Sequence, residues 1–172
     1  MVERNQELFA TAEVARLLGQ PEWRVIKFVE GEQYGIKPAA VVGSGTGGRR
    51  LYDVENVCEF AVALRLLESG LRSLDIGRVI RQLREKGPLQ QQLSDNRELY
   101  IAIARKPRSG TFLATPRPQE VSFVRGSKGA GEILRRRKDY ALILVPMGSV
   151  FRKVQRELSE LHSKSSRPDV GE

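Results

Sequence analysis

Residues 9–30 read Phe9-Ala10-Thr11-Ala12-Glu13-Val14-Ala15-Arg16-Leu17-Leu18-Gly19-Gln20-Pro21-Glu22-Trp23-Arg24-Val25-Ile26-Lys27-Phe28-Val29-Glu30, and their punctuation sets the opening of the fold. Thr11 is placed to cap a short helix running through Leu18. Glu13 falls in its first turn, where the helix dipole favours an acid. Gly19 ends that helix, Gln20 follows, and Pro21 suits the first position of a second helix, Pro21 to Glu30. Trp23, Ile26 and Val29–Glu30 recur at three and four, which predicts one apolar face.

Downstream of this pair the chain becomes glycine-rich over residues 31–52. Ala39-Ala40-Val41-Val42 and Arg50-Leu51-Tyr52 read as two short strands around the tip Gly43-Ser44-Gly45-Thr46-Gly47-Gly48, a β-hairpin. Gly43, Gly45 and Gly48 also satisfy G-x-G-x-x-G, with Glu68 twenty residues beyond the last glycine. In a dinucleotide site the final glycines open the helix itself. Here the extended run Arg49-Arg50-Leu51-Tyr52 intervenes, and Arg49 and Arg50 stand where a P-loop needs Lys and a hydroxyl. A hairpin tip is the better reading, and no cofactor is expected.

Asp53 caps a third helix with Val54, Val57, Cys58, Ala61, Leu64 and Leu67–Glu68 at helical spacing, closed by Gly70. Ser73 caps a fourth, with Leu74, Ile76, Ile80 and Leu83, stopped before Gly87-Pro88. The polar run Gln90-Gln91-Gln92 to Asn96 reads as a linker. Beyond residue 97 the pattern is strand-like: Leu99 to Ala104, Thr111 to Thr115, Glu120 to Val124 and Tyr140 to Val145, with a loop over 126–131. Ser149 caps a last helix whose Val150, Val154, Leu158 and Leu161 form an amphipathic stripe. The expected fold class is α+β. Residues 1–87 make an N-terminal helical domain with its hairpin, residues 98–163 a small α+β module, and residues 164–172 a polar tail.

Composition narrows the chemistry. The chain has 172 residues, one cysteine and one histidine. Cys58 has no partner for an internal disulfide, and His162 alone leaves metal sites and nucleophile–base pairs without ligands or a base. No paired carboxylates, nucleophile–base pair or metal cluster is visible, so an enzyme is the weakest option. No apolar run approaches the ~18 residues of a transmembrane helix. The opening Met1-Val2-Glu3-Arg4-Asn5 does not read as a secretory signal. The expected location is cytoplasmic, at the nucleoid, with no membrane partner.

Twenty-nine bases against 21 acids give +8, which points to a polyanionic partner. Residues 1–97 hold 14 bases and 13 acids (+1), and residues 98–172 hold 15 and 8 (+7). Recognition in the first half therefore rests on local geometry. A helix, a tight turn and a second helix place the second helix in the major groove, where long polar side chains reach base edges. Off its apolar face stand Glu22, Arg24 and Lys27. Arg24 and Lys27 share a face, Arg suiting the two acceptors of guanine and Lys a phosphate or guanine. Arg49 and Arg50 follow a tip with no bulky side chain and are placed for backbone contacts; the alternative is that all four are ordinary solvated charges. Trp23 reads either as core under the helix pair or as a contact to phosphate or sugar. Tyr52 reads as a ring at the hairpin base with its hydroxyl towards a phosphate.

Phe9-Ala10-Thr11-Ala12-Glu13-Val14-Ala15-Arg16-Leu17-Leu18-Gly19 resembles the opening of MerR-type winged-helix transcription regulators. Gly48-Arg49-Arg50-Leu51-Tyr52-Asp53 is similar to their G-x-R-x-Y wing end, and Leu71-Arg72-Ser73-Leu74-Asp75-Ile76 to a later helix start. The likeness covers residues 8–86. It implies a winged helix-turn-helix that binds double-stranded DNA as a homodimer and regulates a promoter, with RNA polymerase or a small effector as further partners. By position it implies DNA contacts from Arg24, Lys27, Arg49, Arg50 and Tyr52; Thr11 and Trp23 complete the candidate DNA-binding set. Lys27-Phe28-Val29-Glu30 departs from the family's Arg-Tyr-Tyr-Glu, Pro21-Glu22-Trp23-Arg24 is closer to an excisionase-like branch, and Gly87-Pro88 stops the chain where a long coiled-coil helix usually follows.

Two further groups are drawn from the second half. Arg135-Arg136-Arg137-Lys138 is either a solvated face or a set of extra phosphate contacts. Val150, Val154, Leu158 and Leu161 either cover their own sheet or form a dimer interface that supplies two reading heads; Cys58 is expected in the core. The preferred reading is a sequence-specific, duplex-binding transcriptional regulator. The alternatives are an excisionase-like or packaging architectural factor, and an antitoxin-like protein-interaction module.

Overall fold

A computed structural model describes residues 7–30, 32–43, 48–94, 99–105, 118–125, 129, 131–132, 135 and 141–165. Helices and two three-stranded antiparallel sheets make an α+β fold. Strand β1 (Phe9–Ala10) enters helix α1 (Thr11–Leu18) directly. Ala10 is held extended by its pairing with Leu51, so Ala10 and not Thr11 is the N-cap residue. The Glu13 carboxylate supplies the cap from within, accepting the Ala10 N–H at 2.7 Å. Gly19 closes α1 at φ 62°, a left-handed turn that favours glycine.

Helix α2 (Glu22–Glu30) turns inward on Val25 and Phe28. Phe28 is caught edge-on by Tyr34 at 4.5 Å and lies 6.2 Å from Phe60. That clasp fixes the rotation of α2 and carries Trp23, nearly opposite Val25 on the helix, out to solvent. Trp23 is 59% exposed, so its reading as core is corrected.

After a 3-10 turn (Glu32–Tyr34) come β2 (Ala40–Val42) and β3 (Arg49–Tyr52). The expected hairpin forms, with Ala40 opposite Leu51 and Val42 opposite Arg49. Sheet order is β1-β3-β2, because β1 adds itself to the other edge of β3. Asp53 caps α3 (Val54–Glu68) as its sequence predicts, its Oδ1 accepting the Asn56 N–H at 2.8 Å. Ser73 does not cap α4 (Ser73–Arg84); it is the first helical residue, and its hydroxyl accepts a hydrogen bond from Tyr34 at 3.0 Å. Leu74 is exposed, whereas Ile76, Ile80 and Leu83 are fully buried.

The run read as a linker contains a helix, α5 (Leu89–Ser94). Its first N–H groups need acceptors, and Glu55 of α3 provides them: Leu89 donates at 2.6 Å and Gln90 at 3.1 Å. Leu89 itself is buried.

The second sheet runs β5 (Pro118–Arg125), β4 (Leu99–Arg105), β6 (Ala141–Pro146) in spatial order. Ile101 and Ile103 of the central strand point into the core with Val121 and Val145. The candidate strand Thr111 to Thr115 lies outside the described residues. Gly129 and Gly131 are helical rather than looped; a Cβ on Gly129 would come within 3.2 Å of Val124, a close approach that glycine permits.

Helix α6 (Gly148–Ser165) starts one residue ahead of Ser149 and packs against α3, α1 and α5. Val154 is 2% exposed, and Leu158 and Leu161 pack against the same cluster; the side chain of Val150 lies outside the described residues. Val154 is therefore covered inside the chain, where α6 lies against the N-terminal helices, while Leu158 and Leu161 are partly buried. One apolar core runs from Phe9 to Val154, across the compositional shift near residue 97. Polar ties follow the same seam. Lys86 donates to the Val121 carbonyl at 2.5 Å, Val121 N–H to Gln82 at 3.1 Å, and Arg65 to the Pro146 carbonyl at 3.2 Å.

Candidate nucleic-acid interface

The outward face of α2 is built by what its inward face does. With Val25 and Phe28 locked into the core, Trp23, Arg24 and Lys27 border a cleft of about 250 Å³ with Phe28, Tyr34, Leu67 and Ser73. Arg24 is half-buried and Lys27 exposed. The Arg24 guanidinium donates to Gln20 Oε1 at 2.6 Å, and its centre lies 5.8 Å from the Trp23 ring centroid. A neighbouring amide and a π-face thus orient the fork without neutralising it. The i,i+4 spacing of Gln20 and Arg24 is the sequence signal for that bond, and Gln20 belongs to the site for this reason.

The hairpin sends its two arginines to opposite faces, since side chains alternate along a strand. Arg50 shares its face with Tyr52 and pairs with Glu30 at 3.5 Å, tying the hairpin base to the last turn of α2. Both partners are substantially exposed, and such a pair is worth at most about 1 kcal/mol, so exchange for a phosphate is cheap. Glu30 was not among the expected site residues. Arg49, on the other face, is exposed, and Val41 and Val42 are each 58% exposed beside it.

Tyr52 does not reach solvent. Its ring is fully buried edge-on against Phe60 at 5.3 Å, which removes it as a phosphate contact. Burial raises the pKa of its phenol, against the opposing influence of the Thr11 side chain and the Arg50 charge. Thr11 is half-buried at the start of α1, and the buried Tyr52 hydroxyl has no hydrogen-bond partner among the described residues. Arg135 is exposed; Arg136, Arg137 and Lys138 lie outside the described residues. Cys58 is fully buried, and burial with the nearby Glu55 charge pushes its thiol up to about 12.

Three cationic side chains therefore meet at α2, Arg24 and Lys27 on its outward face and Arg50 against its C-terminal turn, while Arg49 lies on the other face of the hairpin. Among the described residues no group of three or more His, Cys, Asp and Glu side chains is arranged to hold a metal ion, and no helix is long and apolar enough to cross a membrane. No family model matches the chain, and no curated protein is significantly similar to it.

Proposed function

We propose that the chain binds double-stranded DNA as a MerR-like winged helix-turn-helix regulator. In this reading α1 and α2 are the helix-turn-helix, α2 enters the major groove, and the β2–β3 hairpin is the wing along the flanking backbone. Arg24 reads a base edge, Lys27 meets a phosphate or guanine, and Arg49 and Arg50 meet phosphates. The observation that carries the reading is the outward presentation of Trp23, Arg24 and Lys27 from a short helix whose other face is clasped by Tyr34 and Phe60. An exposed tryptophan beside two cations is costly to leave in water and suits a sugar-phosphate surface.

The test is retention of genomic duplex fragments in a gel shift, followed by footprinting of the retained fragments. The wild-type chain is expected to retain a subset of fragments, and the double variant Arg24→Ala/Lys27→Ala to lose them. A single palindromic footprint supports a regulator acting as a dimer, whereas an extended array would replace it with an architectural role. Equal retention by wild type and double variant would refute α2 as the reading helix.

A further inference from the structure

We infer that Lys153 of α6 and Arg16 of α1 form a second cationic contact, taking DNA backbone phosphates beside the turn that precedes α2. The inference rests on the proposed function, in which α2 faces the duplex. It begins with the turn itself. Gly19 donates its N–H to the Arg16 carbonyl at 3.0 Å and Gln20 to the Ala15 carbonyl at 2.9 Å, which closes α1. Lys153, far away in sequence, reaches this turn: its Nζ lies 2.7 Å from the point a Cβ on Gly19 would occupy.

Two packing constraints bring the charges there. Val154 is buried against the N-terminal helices, so its neighbour Lys153 emerges at the rim beside α1 and remains exposed. Arg16 lies between the buried pairs Val14-Ala15 and Leu17-Leu18 and is exposed on the last turn of α1. The negative end of the α1 dipole attracts both cations. Among the described residues, neither pairs with a carboxylate. Of the three acids on α1 and α2, Glu13 is engaged with the Ala10 N–H, Glu30 pairs with Arg50, and Glu22 stands exposed on the first turn of α2.

A recognition helix contacts bases with its N-terminal residues, so the preceding turn is close to the duplex. The cations then form a continuous track. Lys153 lies at Gly19, the next residue Gln20 holds Arg24 at 2.6 Å, and Arg24 shares its cleft with Lys27. Such a track follows a phosphate backbone past the edge of the groove. It also gives the basic second half of the chain a place in recognition, although its sheet lies elsewhere.

The test is fluorescence anisotropy of the full chain with a mixed-sequence duplex of a few helical turns, titrated between about 50 and 200 mM salt. Lys153→Gln is expected to flatten the slope of log affinity against log salt by about 0.9, and Lys153→Gln with Arg16→Gln by about 1.8. Lys153→Arg should keep the wild-type slope. Arg156→Gln is the comparator and should keep it too, because Glu157 at 3.4 Å and Glu160 at 4.0 Å already engage Arg156. An unchanged slope in Lys153→Gln with a lowered unfolding midpoint would make Lys153 a helix cap only and overturn the inference. That result is distinguishable from failure of the α2 reading, in which the wild-type chain does not bind or Arg24→Ala/Lys27→Ala binds as well as wild type. Either of those overturns both.

Discussion

Replacing Arg84 by Met should destabilise the fold through a residue far from it in sequence. Glu59 of α3 is 2% exposed, and its carboxylate pairs with the Arg84 Nε at the end of α4. Arg84 also donates to the Gly35 carbonyl at 3.0 Å, so it clamps α4 to α3 and to the segment after Tyr34. The Glu59 pairing raises the Arg84 pKa further above its ordinary value. Without Arg84, Glu59 keeps Asn56 Nδ2 at 3.3 Å as its remaining partner. Breaking a buried pair typically costs about 3–5 kcal/mol. The Arg84 side chain is 38% exposed, so water can reach the vacated side, and a loss at or below the bottom of that range, about 2–3 kcal/mol, is expected. At about 2–4 °C per kcal/mol for a chain of this size, the melting midpoint should fall by roughly 4–12 °C. Urea denaturation gives the free energy directly. The double variant Glu59→Leu/Arg84→Met should recover most of the loss, because no charge is then left unpaired in the core. A loss below about 0.5 kcal/mol for Arg84→Met, within the range of an ordinary surface change, would refute the reasoning.

Three further outcomes follow from burial and close approach. Gly77→Ala places a Cβ 2.0 Å from the Gln33 carbonyl oxygen; because that neighbour is backbone, urea titration should show a loss of about 3 kcal/mol or more. Cys58 should resist thiol reagents in the native state and react once denaturant is added. Its folded pKa, about 12, lies above the 9.0 of the free thiol. Its contribution to stability is therefore intact below about pH 9 and lost as pH rises towards 12, a fall that Cys58→Ala should remove from the pH–stability curve. Trp23 is the chain's one tryptophan and is 59% exposed, so native emission should sit near the wavelength of the unfolded chain and shift only when duplex is added.

Local punctuation was the legible part of the sequence. Gly19 needs a positive φ, Asp53 supplies an oxygen one step before an apolar-periodic run, and two short strand-like segments on either side of a glycine-rich stretch pair with each other. Each works within a few residues, and each is where the sequence places it. Long-range substitutions of one partner for another were not legible. Thr11 and Ser73 look like caps, but Glu13 serves one helix from inside, and Tyr34 occupies the Ser73 hydroxyl. The Gln-rich run looks like a linker because the acceptors for its first N–H groups come from Glu55 on α3. On α2, the placement of Arg24 and Lys27 off the buried face was legible from spacing. The exposure of Trp23 was not, since it depends on which of two apolar rhythms in α2 the Tyr34–Phe60 clasp selects. Tyr52 fails as a surface residue for the same kind of reason: strand alternation puts it on the inward face, and Phe60 fills the space beyond it. The stripe on α6 is apolar at helical spacing, but spacing does not say which surface covers it.

In the proposed function, the outward face of α2 distinguishes one duplex sequence from another. The most direct measurement compares wild type and Arg24→Ala on a fragment selected by the wild-type chain and on a shuffled duplex of equal length. Arg24→Ala is expected to lose about 1–3 kcal/mol on the selected fragment and much less on the shuffled one, because a base-edge contact is lost. Equal losses on both duplexes, or none on either, would contradict it.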